Sequence, residues 1–330
     1  MIRDIGVVPK VSVVIPTYNR ADNLSTTIAH LLQQTLTNIE IVVADDGSTD
    51  HTCQVLEAIA DRRVRYVRKA HLGMPKILIE GVKETRGEYI MFCHDHDIYS
   101  KDMLAELASA LDRHTTAAYA HCGIVVVDPE GNNEIERYVR PYPEFMTGRE
   151  FLTSALLPHL DSHVTALTMV RRATLEQEGI DPLYEQCADV ELWMRLCTIG
   201  DVAYVRKPLI RVRQRDSTSQ MYFRGLRLAS LVLQAKRKYI QYIPHASKRR
   251  AILIGWQRYS DRTAIWALLL ALENRKALDL TALRDFVYHN GTRHGRLIFH
   301  ALSALPTSAT LAILKAGRSL RRFMNRGASL

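Results

Sequence analysis

The sequence predicts an α/β fold: a mostly parallel sheet flanked by helices, followed by a C-terminal helical region. Three observations lead there. The short apolar runs 11–15, 41–44 and 89–93 each end in a polar turn, as buried strands of a parallel sheet do. The segments between them repeat apolar residues at helical spacing. Beyond about residue 220 the strand-and-turn rhythm stops and helical segments take over.

The first strand, Val11 to Ile15, runs into Pro16-Thr17-Tyr18-Asn19-Arg20, and Leu24, Ile28, Leu31 and Leu32 then share one helical face. The second, Ile41-Val42-Val43-Ala44, enters the acidic turn Asp45-Asp46-Gly47-Ser48-Thr49-Asp50 before helical spacing resumes at Val55, Leu56 and Ile59. A β-α-β-α-β order extends to about residue 70, with a helix near 76–85. The strand Tyr89-Ile90-Met91-Phe92-Cys93 follows, then a helix carrying Met103, Leu104, Leu107 and Leu111. Ala117 to Val127 is apolar and ends at the turn Asp128-Pro129-Glu130-Gly131-Asn132. Tyr138 to Ser162 has no clear period and reads either as a mobile acceptor-side lid or as an ordinary surface connection.

The tetrad His94-Asp95-His96-Asp97 stands at the mouth of the third strand. If the strand continues through it, alternate residues share a face, so Asp95 and Asp97 converge while His94 and His96 point away from them. Two convergent carboxylates suit a hard divalent cation that leaves its other positions to water and phosphate, which describes a diphosphate site. Alone, such a pair more often reads as turn chemistry or a helix cap. In a parallel sheet, however, all three polar turns fall at the carboxyl ends of the strands, where such sheets bind ligands.

With these residues in view, the chain resembles the family 2 glycosyltransferases, inverting enzymes of the Rossmann-like GT-A fold. The resemblance rests on Pro16-Thr17-Tyr18-Asn19-Arg20, Asp45-Asp46-Gly47-Ser48-Thr49-Asp50, Gly87-Glu88-Tyr89-Ile90 leading into Asp95-His96-Asp97, and Asp189 with Trp193 and Arg195. It covers about residues 10 to 220. It implies a nucleotide-sugar donor, with a UDP-sugar the expected class, and Mn2+ or Mg2+ to neutralise the departing diphosphate. Asp46 matches the family's uridine-binding acid, with Pro16, Thr17, Tyr18 and Asn19 lining the nucleotide, while Asp45 reads as a strand-end or capping residue. The likeness gives Asp95 to the ribose or the metal and Asp97 to the metal. Asp189 matches the base that deprotonates an acceptor hydroxyl; its competing reading is an N-cap of the helix in which Leu192, Trp193 and Leu196 face the core. Arg195 pairs with an acid or with phosphate.

The chain also departs from the family. Leu78 and Ile79 stand where many relatives carry an Arg-Asn pair, with Lys76 nearby. Near the end of the catalytic region the chain reads Arg211-Val212-Arg213-Gln214-Arg215 where relatives often place a histidine. Arginines bind phosphate bidentately, so Arg215 and its neighbours are expected to clamp the diphosphate. The Gln-x-x-Arg-Trp signature of processive synthases is absent, which points to addition of a single sugar.

Composition sets the remaining bounds. With 330 residues and 47% hydrophobic content the chain is globular. Its five cysteines lack CxxC spacing, which disfavours a disulfide framework or a zinc knuckle and fits a reducing cytoplasm; Met1 to Lys10 has no apolar core of signal-peptide length. Residues 221–330 hold 20 Lys and Arg against 4 Asp and Glu, net +16, whereas residues 1–220 are net −7. The expected domains are therefore 1–220, catalytic, and 221–330, basic and helical.

In that second region Thr263 to Leu272 is too short to span a bilayer, and Leu297 to Ala316 is interrupted by polar residues and Pro306. It reads either as an interfacial, lipid-attracted region or as a helical subdomain packed on the catalytic part. No nucleic-acid recognition motif accompanies the charge. The expected protein is a cytoplasmic glycosyltransferase, peripheral on the inner face of the plasma membrane, that glycosylates a glycan or lipid-linked glycan in cell-surface polysaccharide synthesis. The alternatives are transfer to a polyprenyl phosphate, or a non-catalytic nucleotide-sugar-binding scaffold.

Overall fold

A computed structural model describes residues 8–159, 167–214, 221–273 and 280–304. Arg215, the end of the aperiodic segment at 160–162 and everything after residue 304 lie outside the described residues. The chain divides into two compact units, Met1–Asp216 and Ser217–Leu330.

In the first unit the elements are β1 (Val11–Thr17), α1 (Ala21–Leu32), β2 (Ile39–Asp45), α2 (Thr52–Glu57), β3 (Val64–Arg68), α3 (Lys76–Lys83), β4 (Tyr89–Phe92), β5 (Ile98–Tyr99) and α4 (Met103–Arg113). They continue with β6 (Ala117–Val127), β7 (Glu134–Tyr138), β8 (Phe145–Met146), α5 (Gly148–Phe151), β9 (Met169–Arg171), α6 (Arg172–Glu178), α7 (Ala188–Leu196) and β10 (Asp201–Arg213). The sheet order is β3-β2-β1-β4-β9-β6-β10-β5, with β7 beside β6 and β8 beside β10.

The β3-β2-β1-β4 half is parallel throughout, with Thr17 level with Asp45 and Asp45 level with Arg68. β9 then runs antiparallel to both β4 and β6, and β6 pairs parallel with β10. β1 and β2 are buried almost end to end because helices cover both faces: Val11, Val13, Ile15, Ile39, Ile41 and Val43 enter a core shared with Leu24, Ile28 and Leu31 of α1 and Leu104, Leu107 and Leu111 of α4, while Val14 and Ala44 face Gly81 of α3. The expected strands and helices are present. The aperiodic stretch is not featureless: it contains β8, α5 and a π-helical turn at Leu152–Leu156.

Two glycines fix the geometry where a side chain has no room. Gly47 turns the chain after Asp45-Asp46 at φ +82, in the left-handed region that glycine enters freely, close to the Lys69 carbonyl. A Cβ on Gly148 would collide with the backbone carbonyls of Gly200 and Cys197. Neither backbone can yield without disturbing the β8–α5 corner, so Gly148→Ala should cost roughly 1–3 kcal/mol, the range for overpacking. Urea denaturation of the purified variant checks this, and a midpoint equal to wild type would show that the corner relaxes.

The second unit contains α8 (Met221–Tyr239), α9 (Ala246–Glu273), α10 (Leu280–Asn290) and α11 (Arg293–Ser303). Leu226, Ala264, Leu283, Phe286, Val287, Phe299 and Leu302 form a small core of its own. Asp261 joins α9 to the start of α11 by accepting from the Thr292 backbone N–H and hydroxyl at 3.0 and 2.6 Å. Thr292 in turn caps α11 through the Gly295 N–H. No helix among the described residues is long and apolar enough to cross a membrane.

Candidate active site

The carboxyl ends of β1, β2 and β4 meet at one edge, and hydrogen bonds tie their turns together. Thr17 donates its hydroxyl to Asp95 at 2.8 Å. Asn19, at φ +52, accepts from the Thr49 and Asp50 backbone N–H groups and donates its own N–H to Ser48. Asparagine tolerates this left-handed backbone better than most residues. Asn19 thus braces the first turn against the second.

The paired acids at the end of β2 have separate environments. Asp45 is fully buried; it accepts from the Ser48 N–H and hydroxyl and from the Tyr66 hydroxyl, so it organises the turn. Asp46 accepts from the Leu72 and Gly73 backbone N–H groups at 2.6 and 2.9 Å, and His71 Nδ1 lies 3.0 Å from it. Each carboxylate oxygen has two lone pairs, so Asp46 retains capacity to accept from a base. Beside it the Tyr18 and His71 rings lie 4.5 Å apart, with Tyr18 43% exposed. Sequence reasoning missed the 71–73 loop, since a tertiary contact between a loop and an acid about 25 residues earlier leaves no periodic signal.

The tetrad corrects one expectation. β4 stops at Phe92, and Asp95 and His96 occupy a turn rather than a strand, so strict alternation of side chains fails. The histidines do not point away from the aspartates. His94 Nδ1 is 2.8 Å from Asp97 Oδ2, His96 Nδ1 is 2.8 Å from Asp95 Oδ1, and His96 Nε2 is 3.8 Å from Asp97 Oδ1. The two imidazoles stack at 5.4 Å with 7° between planes. Tyr99, two residues past the tetrad, holds the turn by accepting from the His94 N–H at 2.8 Å and donating to the His94 carbonyl at 3.0 Å.

Asp97 is fully buried and accepts from the Arg213 N–H at 3.0 Å. Burial opposes its ionisation, but the bond from His94, the nearby imidazole charges and the Arg213 N–H hold its carboxyl below the ordinary value. Asp95 receives Thr17, and the Arg20 guanidinium lies 3.9 Å away. One donor atom each from His94, His96 and Asp97 lie within 4.8 Å of one another. Two imidazole nitrogens and a carboxylate oxygen at that spacing fit a divalent cation.

The arginines at the end of β10 have protein partners. Arg213 donates to the His96 carbonyl and to Asn23, and Arg211 to the Gly131 carbonyl. Arg195 pairs with Glu191 and Glu178 and donates to the Gly179 carbonyl, which commits it to acids and backbone. Lys76 is exposed on α3.

Asp189 lies in the first turn of α7, while the N-cap position is Cys187 and makes no side-chain cap bond. The capping alternative is therefore not realised in its simple form. Trp193, Leu192 and Leu196 anchor the helix in the core, Trp193 with its ring 5.4 Å from Tyr119 and 6.2 Å from Phe92. Burying such a side chain contributes about 2–3 kcal/mol. Asp189 is half-buried, and the protein packed around its carboxyl pushes it up to about 6, against the lowering influence of the neighbouring backbone N–H groups and of His94. Just upstream, Glu185 adopts φ +49, a strained conformation for a residue with a Cβ.

The family model described as glycosyl transferase family 2 matches residues 12–178, half of the chain and the part that contains all three turns. The chain belongs to glycosyl transferase family 2. An uncharacterised glycosyltransferase of Rickettsia typhi is 27% identical over 63% of this chain and 65% of its own length. The hyaluronan synthase of Pasteurella multocida is 28% identical over 77% of this chain, but that match spans only 25% of the synthase. Among solved structures, S. aureus TarS residues 1–349 in complex with UDP-GlcNAc superposes with a TM-score of 0.60, at 19% identity, over 92% of this chain and 88% of that one. The architecture is thus of GT-A type, a mostly parallel sheet flanked by helices, with further helices following it in the chain.

Proposed function

We propose that this family 2 member is an inverting glycosyltransferase that moves one sugar from a nucleotide sugar, a UDP-sugar by class, to a glycan or lipid-linked glycan of a cell-surface polysaccharide. The observation that carries the proposal is Asp189, a carboxyl poised near pH 6 that feels the charge of His94, at the start of a helix fixed in the core. A base that changes protonation near neutrality beside a candidate cation site is what displacement of a diphosphate by a hydroxyl requires. Further support comes from the likeness to TarS, whose structure was solved in complex with UDP-GlcNAc.

In this reading the donor nucleotide lies along Pro16, Thr17, Tyr18 and Asn19, with Asp46 accepting from the base and Asp95 on the ribose side. Asp97, with the adjacent imidazoles, would hold Mn2+ or Mg2+, which when bound supplies charge neutralisation to the leaving diphosphate. Asp189 takes the acceptor proton as the hydroxyl attacks the anomeric carbon from the face opposite the diphosphate. Arg215 is proposed to contact the diphosphate. Incubation with a panel of nucleotide sugars and glycan or polyprenyl-phosphate acceptors tests the reading. Radiolabel on the glycan supports it, label on the prenyl phosphate replaces the acceptor, and donor binding without any product assigns a scaffold.

The basic second unit is proposed to hold the enzyme peripherally on the anionic inner face of the plasma membrane, where a lipid-linked acceptor is presented. Its net +16 supports this, since each basic residue near such a surface adds about 1 kcal/mol. The protein should therefore pellet with anionic liposomes at low salt and be released as salt screens the charges. Changing Arg318, Arg321 and Arg322 to Ser should reduce the pelleted fraction. Equal recovery with neutral and anionic liposomes, or none with either, would count against docking.

A further inference from the structure

We propose that the outward face of α9 is a docking surface for an acceptor glycan of anionic class, one that carries carboxylate or phosphate groups along its chain. The inference rests on the transferase reading for the presence of a glycan acceptor, and the sign of the acceptor's charge comes from α9 itself. Lys248, Ala251, Gly255, Arg258 and Arg262 recur at alternating steps of three and four residues, so they form one stripe along the helix. At a rise of about 1.5 Å per residue the stripe is about 21 Å long. All five residues are exposed, while Trp256, Ser260 and Ala264 on the other side of the helix are buried.

The three cations of the stripe are uncompensated. Lys248, Arg258 and Arg262 have no ion-pair or hydrogen-bond partner among the described residues. Asp261, the one acid of α9 before Glu273, is taken up by Thr292. Arginine pairs in a fork with carboxylate and phosphate, and Arg258 and Arg262, one turn apart, can take successive anionic groups of a chain. Gly255 sharpens the reading. Glycine in a helix interior is destabilising relative to alanine, and nothing within the fold requires it here, since a Cβ would meet no atom within 4 Å. With Ala251 it leaves a low floor between the cations, where a partner can lie close to the helix backbone.

Charge and shape exclude two other occupants. A second copy of this chain would set cations against cations whichever way the two stripes ran. A bilayer favours helices that present large apolar side chains, and this face carries alanine and glycine between its cations, with Ile254 beside them at 37% exposure. The more exposed apolar side chains of the unit, Tyr288, Leu297 and Ile298, stand on α10 and α11 instead.

The test uses the full chain without a sugar donor, so it is independent of turnover, and Mn2+-dependent UDP binding on the same samples reports the catalytic reading separately. In calorimetric titrations an oligogalacturonate hexasaccharide, with a carboxylate on every sugar, should bind with an affinity that falls as salt rises. Neutral maltohexaose should not bind. The combined variant Lys248→Gln, Arg258→Gln, Arg262→Gln should bind oligogalacturonate about tenfold more weakly, the loss expected of three exposed ion pairs of middling strength. Arg318→Ser, Arg321→Ser, Arg322→Ser removes the same charge elsewhere and should leave that affinity close to wild type. Gly255→Leu places a better helix former in open space, so it should raise the melting temperature and still weaken binding, a combination that misfolding cannot produce. No binding of oligogalacturonate by the wild type, equal binding of the charged and neutral hexasaccharides, equal loss in the two triple variants, or unchanged affinity in Gly255→Leu would each overturn the proposal. A glutamine variant that kept its oligogalacturonate affinity but no longer pelleted with anionic liposomes would overturn it too, and make the stripe a lipid surface.

Discussion

Asp189→Asn should cut turnover by orders of magnitude while leaving the donor bound. The amide preserves the shape of the carboxyl, but it cannot take a proton from an acceptor hydroxyl, and general bases contribute about 10²–10⁴ in rate. Steady-state kinetics should therefore show kcat lowered by that factor with the donor KM nearly unchanged. In the wild type the base works only when ionised, so kcat/KM should fall about tenfold per pH unit below about pH 6.

The same substitution carries a stability signature of opposite sign. Burial raises the folded-state pKa, so the favourable contribution of the protonated carboxyl is complete below the unfolded-state value and is lost as pH rises through about 6. At about pH 8 the asparagine variant, with no charge to bury, should be more stable than wild type by about 1–2 kcal/mol, a range reduced for residual solvent screening. Near-normal turnover, or a variant less stable than wild type at that pH, would show that Asp189 serves the helix start instead.

Asp97→Ala should lose metal-dependent nucleotide binding. The substitution removes the oxygen donor on which His94, His96 and the Arg213 N–H converge, so Mn2+-dependent affinity for UDP should drop by at least about 100-fold. Asp97→Asn separates the two duties of the side chain, since it keeps an acceptor for Arg213 while removing the charge. Calorimetry with and without Mn2+ reads both variants. Unchanged Mn2+-dependent affinity in Asp97→Ala would remove Asp97 from the cation site.

Much of the catalytic unit is legible in the sequence because it is built from local patterns. The apolar runs before Pro16, Asp45 and His94 read as buried strands, and a parallel sheet necessarily gathers their ends; the Thr17–Asp95 and Asn19–Thr49 bonds make that gathering explicit. The tetrad misleads at side-chain level for a reason equally local. Alternation holds only while the chain is extended, and nothing in His94-Asp95-His96-Asp97 marks where the strand ends. The clamp that reveals the turn, Tyr99 on both backbone groups of His94, is a tertiary contact. The cover over Asp46 by Leu72 and Gly73 is invisible in sequence for the same reason. In the 138–159 stretch, β8 has only two residues and α5 one turn, too short to establish a period.

The three-residue strand β9 has a consequence for how the chain reaches its folded state. It pairs with β4 through Met91–Met169 and with β6 through Tyr119–Val170, so among the described strands the hydrogen-bonded link between the two halves of the sheet is a segment made about 80 residues after one partner and about 50 after the other. Contacts this distant in sequence form late, because loop-closure entropy opposes them until the rest is in place. During synthesis the β3-β2-β1-β4 half can assemble as soon as residue 92 is available, but its β4 edge stays open until Met169 arrives. Open edges of this kind recruit other strands. A chain truncated before residue 169 should therefore be more prone to aggregate than the full-length protein, a difference that light scattering of the two would show.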